Sequence, residues 1–358
     1  MAEQTPAPDP LQSSQVAPSE PLSHEMTAFA IRRNSIRLLL LLLSLAVSVR
    51  AQIPTSFQSP ILGYFIDSNI GKIRPISGIP GSARIELPLT LPFTIRDGAI
   101  LPDQQHAIIT TTDQPGVFVV DLKSLTARAI SGAPSSVSEI RISPDGSIAA
   151  LFAAAESKMF VAIDLSGVAT IRDILDVPFT GGSLREFAIS NDGSVLLMDF
   201  ASNDEENLYT WKASDPPRFV MRPAHVSNMS FRGDDAVILD SGANEALLIR
   251  NVRDQAEPIR IAGPGDGLDQ PSALFVSNRG EIYIGSDLNT ILRFDESGRL
   301  QWRTSCHCVL TTMAPLVGGW LRLTNRLDQP LIIFDGNRSG DVLFIPALPE
   351  LSAHGSGR

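Results

Sequence analysis

The sequence predicts an all-β protein built from one unit of four short strands that recurs along the chain. Glycine and proline number 26 each among 358 residues, a composition typical of turn-rich chains. Helical periodicity is confined to residues 38–49. Two landmarks, one on a strand and one at a turn, recur together at about the 40–50-residue period of a β-propeller blade.

The strand landmark is an apolar strand that ends in Asp or another polar residue. It occurs seven times, at steps of 39 to 54 residues: Gly63–Asp67, Val117–Asp121, Phe160–Asp164, Leu208–Lys212, Leu247–Asn251, Ile291–Asp295 and Leu331–Asp335. The turn landmark precedes six of these strands: Leu101–Asp103, Ser143–Gly146, Ser190–Gly193, Phe231–Asp234, Ser277–Gly280 and Val317–Gly319. Glycine suits these turns because it tolerates the positive φ that many hairpins require.

Each repeat predicts four strands, and in the clearest unit these are 139–143, 147–152, 159–164 and 169–172. A closed ring of such units buries both faces of each unit and protects its edges. We therefore predict a single β-propeller over residues 52–348, with seven blades and mostly four strands in each. Blade one shows only three candidate strands, so either residues 52–60 supply a closing strand, or six full blades carry an N-terminal addition.

Residues 270–295 resemble an NHL repeat. Pro271 begins an apolar strand, Gly280 marks a turn, Tyr283 lies on an aromatic strand, and Asn289 precedes a strand that contains Arg293. The turn Ser143–Gly146 is similar to the start of many propeller units, including the YVTN type. The resemblance covers about residues 60–346 and implies a bacterial propeller fold rather than an activity.

The N-terminal segment predicts export. Residues 1–25 are rich in Pro, Ser and Gln, which predicts a disordered extension or a start codon placed too early, with Met26 as the true start. Basic residues followed by the apolar run 38–49 and by Ala51 match a signal peptide over 26–51, cleaved after Ala51. A membrane anchor is the alternative, but about 20 apolar residues are needed to cross. We expect a periplasmic or extracellular protein without a membrane segment after cleavage, and a flexible tail at 349–358.

The net charge is −10, and no cluster of basic residues longer than a pair occurs beyond Ala51. Nucleic-acid binding depends on neutralising phosphates, so we expect no nucleic-acid partner. The triplet Cys306-His307-Cys308 holds both cysteines and leaves three interpretations open. These are a local disulfide, which an oxidising compartment favours, a pair of free thiols in a blade, or a metal or redox site.

Signals for catalysis are weak. His106, His225 and His307 are the histidines of the repeat region and are candidates for the channel or its rim. The acidic stretches 203–207 and 265–269 carry oxygen ligands without the spacing of a calcium loop, so we predict no cofactor and give Ca²⁺ or Zn²⁺ little weight.

The expected function is that of a non-catalytic propeller that binds a small molecule or a protein through its loops or channel mouth. The alternative is a lactonase-like hydrolase with a metal in the channel. Three or more carboxylate or amide side chains that converge at one mouth would favour the hydrolase. A channel wall of Val, Ile, Ala and Ser would favour binding or packing.

Overall fold

The fold is that of a computed structural model, which describes residues 59–348 apart from 178–181, 204, 213–214, 288, 307, 326–327 and 338–339. These residues form seven antiparallel sheets. Short 3₁₀ turns occur at Pro80–Ser82, Pro264–Asp266 and Val317–Gly319. No helix among the described residues is long and apolar enough to cross a membrane. The predicted signal peptide and tail lie outside the described residues.

The first four sheets, blades one to four, follow one another along the chain. Blade one contains β1 (Ile61–Asp67), β2 (Lys72–Ser77) and β3 (Arg84–Ile85). Blade two contains β4 (Ile95–Ile100), β5 (His106–Thr111), β6 (Val117–Asp121) and β7 (Thr126–Ala129). Blade three contains β8 (Glu139–Ile142), β9 (Ile148–Ala153), β10 (Lys158–Ile163) and β11 (Thr170–Asp176). Blade four contains β12 (Ser183–Ile189), β13 (Val195–Ser202), β14 (Glu205–Lys212) and β15 (Arg218–Met221).

The remaining three blades have four strands each. Blade five contains β16 (Val226–Arg232), β17 (Asp235–Asp240), β18 (Glu245–Arg250) and β19 (Glu257–Ala262). Blade six contains β20 (Pro271–Val276), β21 (Ile282–Ser286), β22 (Thr290–Phe294) and β23 (Leu300–Ser305). Blade seven contains β24 (Ala314–Pro315), β25 (Trp320–Arg322), β26 (Leu331–Asp335) and β27 (Val342–Ile345). In every sheet the strands pair in sequence order.

The core consists of seven apolar clusters, one at each seam between neighbouring blades. Their members include Ile73 and Ile109, Ile108 and Leu151, Met159 and Phe187, Leu197 and Ile238, Val237 and Ile284, Ile291 and Phe334, and, between blades seven and one, Ile333 and Phe65. Successive residues of one strand face opposite neighbours, because side chains alternate across a sheet. The last seam closes the ring, so the seven-blade prediction is confirmed and the six-blade alternative is wrong.

The turn landmark has a local chemical basis in blades three and four. Ser143 Oγ donates to Asp145 Oδ1 at 2.7 Å and accepts the backbone N–H of Ile148 at 3.1 Å. The glycine that follows Asp145 has a φ of 79°. Ser190 and Asp192 repeat the 2.7 Å hydrogen bond in blade four. Because all partners lie within a few residues, the turn forms wherever this short sequence occurs.

Blade one corrects the expected alignment of the repeats. Six landmark strands are the third strand of their sheet, but Gly63–Asp67 lies on β1, which stands first in its sheet. The turn after β1 meets the start of the next blade, where Ile95 N donates to Gly71 O at 2.9 Å. In blade five the turn after the second strand does the same, since Asn244 Oδ1 accepts Gln270 N at 2.6 Å. By this criterion β1 is a second strand, and its channel-side edge has no strand beside it among the described residues.

The side chain of Gln104 joins blade one to blade seven at that edge. Its Oε1 accepts the backbone N–H of Tyr64 at 2.8 Å, and its Nε2 donates to Pro315 O at 2.8 Å. Gly63 permits the close approach, because a Cβ at this position would lie 2.5 Å from Leu316 Cδ2. An amide side chain therefore satisfies polar groups that a neighbouring strand satisfies in the other blades.

Candidate functional site

The first strands of the blades surround a central channel. A cavity of about 380 Å³ inside it is lined from blades two, three, five, six and seven. Its wall mixes apolar side chains with serine and threonine hydroxyls: Ala99, Ile100, Ile140, Ile142, Ser230, Ser272, Leu274, Val276, Thr312 and Ala314 are among the lining residues. Arg141 and Asn228 add a charged and an amide group, and polar atoms make up more than half of the exposed wall.

A charged cluster interrupts this wall at blades three and four. Arg141 holds Glu186 in a bidentate ion pair, with Nε–Oε1 and Nη2–Oε2 distances of 2.7 and 2.8 Å, and it also contacts the Glu139 carboxylate. Burial raises the pKa of Glu139 above its usual value, although Arg141 opposes this shift, and the charges of Glu186 and Asp97 add to it. Three carboxylates from neighbouring blades therefore act on one guanidinium.

The cluster contains the three carboxylates that would favour a hydrolase, but their arrangement is that of an ion-pair network. Both oxygens of Glu186 are committed to Arg141, and the Glu139 carboxylate also pairs with it, so the set forms an ion-pair network around a cation. Within the described ranges, no group of three or more His, Cys, Asp or Glu residues is arranged to hold a metal ion. The acidic stretches considered for calcium contribute capping bonds such as Gly263 N to Asp266 Oδ2, at 3.0 Å.

A second cavity, of about 430 Å³, lies between blades six and seven where the channel opens. It shares Pro102, Phe275 and Pro315 with the channel cavity, so the two are adjacent. Trp320 and Tyr283 are further aromatic lining residues. We call this cavity the mouth cavity.

The polar groups of the mouth cavity are held rigidly. Tyr283 Oη donates to Gly336 O across the seam at 2.8 Å, and the Arg293 guanidinium lies 5.8 Å from its ring centroid while pairing with Glu281. Burial, and then the charge of Glu281, raises the pKa of Tyr283 to about 12, so the hydroxyl stays protonated. Arg279 is exposed at the rim. The cavity therefore has aromatic faces in its wall and an exposed cation at its rim.

The predicted site residues do not come together. His106 lies at the turn into β5, where its Nδ1 is 2.6 Å from Asp103 Oδ2. His225 immediately precedes β16 on the opposite face of the ring, with its Nδ1 2.7 Å from Glu206 Oε1. His307 lies outside the described residues. Neither described histidine is near the other, and each has a carboxylate partner within its own part of the ring.

Cys306 and Cys308 are joined by a disulfide. Both are buried in the seam between blades six and seven, in the cluster that also contains Ile291 and Phe334. The backbone N–H of Cys306 donates to Asn289 O at 2.9 Å, which attaches the bridge to blade six. The bridge lies in the connection that leads into blade seven, and its buried position indicates a structural role.

A buried carboxyl group on β13 was not predicted from the sequence. Asp199 has no exposed surface, and neither of its oxygens has a hydrogen-bond partner in the described part of the chain. Burial, and then the negative charge of Glu206, raises the pKa of Asp199 to about 8. Glu206 in turn contacts His225, whose side chain is 45% exposed. The only sequence signal is one acidic residue in the apolar run Val195–Phe200.

No protein-family model matches the chain, and no curated protein matches it. Solved structures do. A protein of unknown function from Desulfotomaculum acetoxidans is 15% identical, with a TM-score of 0.54, over 81% of this chain and 100% of that one. This likeness shows the fold alone.

Two further solved chains superpose less well. A chain of a nidogen–laminin complex is 14% identical, with a TM-score of 0.44, over 70% of this chain and 95% of that one. A chain of the hydrazine synthase of Kuenenia stuttgartiensis is 12% identical, with a TM-score of 0.48, over 83% of this chain and 98% of that one. These two likenesses add nothing about function.

Proposed function

We propose that this chain is an exported, non-catalytic binding protein of the NHL or YVTN type, which holds a ligand or a partner's side chain in the mouth cavity. The observation that carries the proposal is the 430 Å³ cavity itself, which lies between blades six and seven and adjoins the channel cavity. Binding sites are typically concave, largely apolar and lined by a few fixed polar groups. Phe275, Tyr283 and Trp320 supply the apolar faces, and the Gly336 carbonyl and Glu281 are held in place.

The ligand that fits best has a planar apolar part and a negatively charged or hydrogen-accepting end. The planar part would stack on Phe275 or Trp320, and the charged end would meet the exposed Arg279 at the rim. Glu281 adds little repulsion, because its carboxylate is paired with Arg293.

A fragment screen tests the site. Planar aromatic acids such as indole-3-acetate and naphthoate would be titrated by ligand-observed NMR against wild type, Trp320→Ala and Arg279→Glu. We expect each variant to weaken binding about tenfold or more, the loss of one stacked face or one ion pair. Phe219→Ala is the control, because Phe219 is 51% exposed on the outer strand of blade four. Affinities that are equal in wild type, Trp320→Ala and Arg279→Glu, or no binding at all, would contradict the proposal.

Export rests on the basic, apolar and small-residue order of 26–51. It is tested by expressing the full chain in a bacterium and measuring the intact mass of the protein released from the periplasm. We expect a chain that begins at Gln52. Full-length protein that stays in the cytoplasm or the inner membrane would contradict this part of the proposal.

A further inference from the structure

A third cavity, of about 270 Å³, lies beside the channel-side edge of β1. One wall is made by β1 and β4, including Tyr64 and Ile66, and the opposite wall by blade seven, including Pro315 and Arg322. It shares Ala99 and Ala314, among others, with the channel cavity, so the two cavities are adjacent. We call this cavity the β1 recess.

Arg322 is a buried cation without a counter-ion. Its residue is 8% exposed, and no carboxylate in the described part of the chain forms an ion pair with it. Arg74 shows the usual solution at similar burial, because its Nε pairs with Asp67 Oδ2 at 2.8 Å. An unpaired buried charge costs several kcal/mol, and proteins normally compensate it with a partner. Burial lowers the pKa of Arg322 to about 10, which still leaves it positive at neutral pH.

The guanidinium of Arg322 uses only part of its hydrogen-bonding capacity. Its Nη1 donates to Thr324 O at 2.9 Å and contacts Asn325 Oδ1, and its Cζ lies 5.3 Å above the Phe65 ring centroid. Nε is buried and makes no hydrogen bond with any described residue. Nη2 is therefore the donor that a carboxylate in the recess would meet in a charge-assisted hydrogen bond.

We propose that the β1 recess binds the carboxylate of a small ligand, with the Arg322 guanidinium as its ion-pair partner. The other charged side chains that line the recess are Arg96, whose Nη2 donates to Val137 O at 3.0 Å, and Asp97, whose Oδ1 accepts the N–H of Gly98 at 2.8 Å. Two cations therefore face one carboxylate, which leaves a net positive site. The volume is below the ~300–1,000 Å³ of drug-sized sites, so the occupant is a short organic acid or a peptide's carboxyl end.

The β1 recess and the mouth cavity depend on different charged side chains, Arg322 and Arg279, so each proposal can fail alone. Calorimetric titrations at constant ionic strength would use succinate, acetate, triglycine and triglycine amide as probes, with chloride as the reference anion. We expect saturable binding of at least one carboxylate, about 10- to 100-fold weaker in Arg322→Gln, the loss of a charge-assisted pair. Arg322→Lys should bind at an intermediate level, because it keeps the charge but not the guanidinium. Arg299→Gln is the control, since its side chain is 81% exposed.

The choice of probe that binds identifies the source of the carboxylate. Binding of succinate or acetate identifies a small acid, whereas binding of triglycine alone identifies a peptide end. Equal binding of triglycine and its amide, unchanged binding in Arg322→Gln, or no binding of any probe overturns the proposal. If Arg322→Gln does not fold, a crystal structure of wild type in saturating succinate decides. A carboxylate within hydrogen-bond distance of the Arg322 guanidinium is expected there, and an empty recess refutes the site.

Discussion

Asp199 provides the sharpest test of the electrostatics of this fold. Its pKa is raised from an ordinary 3.8 to about 8, first by burial and then by Glu206. Between these two values the folded protein holds a proton that the unfolded chain has released. The stabilising effect of that proton is complete below the unfolded value and is lost as the pH rises through 8. Asp199→Asn removes this dependence while keeping the shape of the neutral acid.

The expected size follows from linkage. Each pH unit within the window is worth about 1.4 kcal/mol, so the interval from pH 5 to pH 8 has a ceiling of about 4 kcal/mol. Solvent and nearby dipoles relax around an ionised carboxylate, which reduces the cost. We therefore expect Asp199→Asn to match wild type at pH 5 within about 1 kcal/mol and to be more stable by about 1–3 kcal/mol at pH 8 and above.

Urea unfolding followed by tryptophan fluorescence, at each pH from 5 to 9, measures the effect as the difference between variant and wild type. Titrating groups that do not interact with Asp199 cancel in this difference, whereas Glu206 contributes to it. Asp240→Asn is the matched control, because Asp240 is also buried but accepts the N–H groups of Ala224, His225 and Ala243 at 2.7, 2.9 and 3.0 Å. It should lose about 1–3 kcal/mol at pH 7. Parallel stability curves for Asp199→Asn and wild type would refute the reasoning.

Two further predictions concern the channel and the disulfide. Arg141→Gln should lower the free energy of unfolding by about 1–2 kcal/mol at pH 7, because it leaves the Glu139 and Glu186 carboxylates facing each other at a half-exposed site. Urea titration should show a smaller loss at pH 4, where carboxylates approach neutrality, and an equal loss would contradict the network. For Cys306 and Cys308, mass spectrometry should find two alkylated thiols only after reduction. Alkylation of both in the unreduced protein would reject the bridge.

The repeat architecture could be predicted because its signals are local. Ser143 and Asp145 fix their turn within five residues, so the sequence alone carries the information. The assignment of blade one could not be made in this way. An apolar strand ending in Asp is found at Asp121, which ends a third strand, and at Asp240, which ends a second strand. Local sequence therefore does not distinguish the two positions, and only the ring shows that β1 is a second strand.

The candidate site is formed by contacts between residues far apart in the sequence, and sequence patterns do not predict such contacts. Arg141 and Glu186 are 45 residues apart and meet because neighbouring blades pack side by side. Arg322 is distinguished by being buried without a carboxylate partner among the described residues, and its sequence neighbours do not reveal this. The histidines were candidates for the site because they are rare in the chain. In the structure, His106 and His225 pair with nearby carboxylates on opposite faces of the ring.

Closure of the ring at blades one and seven underlies every site described above, and amide hydrogen exchange at Tyr64 tests it most directly. In wild type the Tyr64 N–H donates to Gln104, which also holds Pro315, so we expect slow exchange. Gln104→Leu should speed this exchange about tenfold or more, whereas Gln105→Leu, at an exposed neighbouring position, should leave it unchanged. Fast exchange of Tyr64 in wild type would contradict the closed seven-bladed ring.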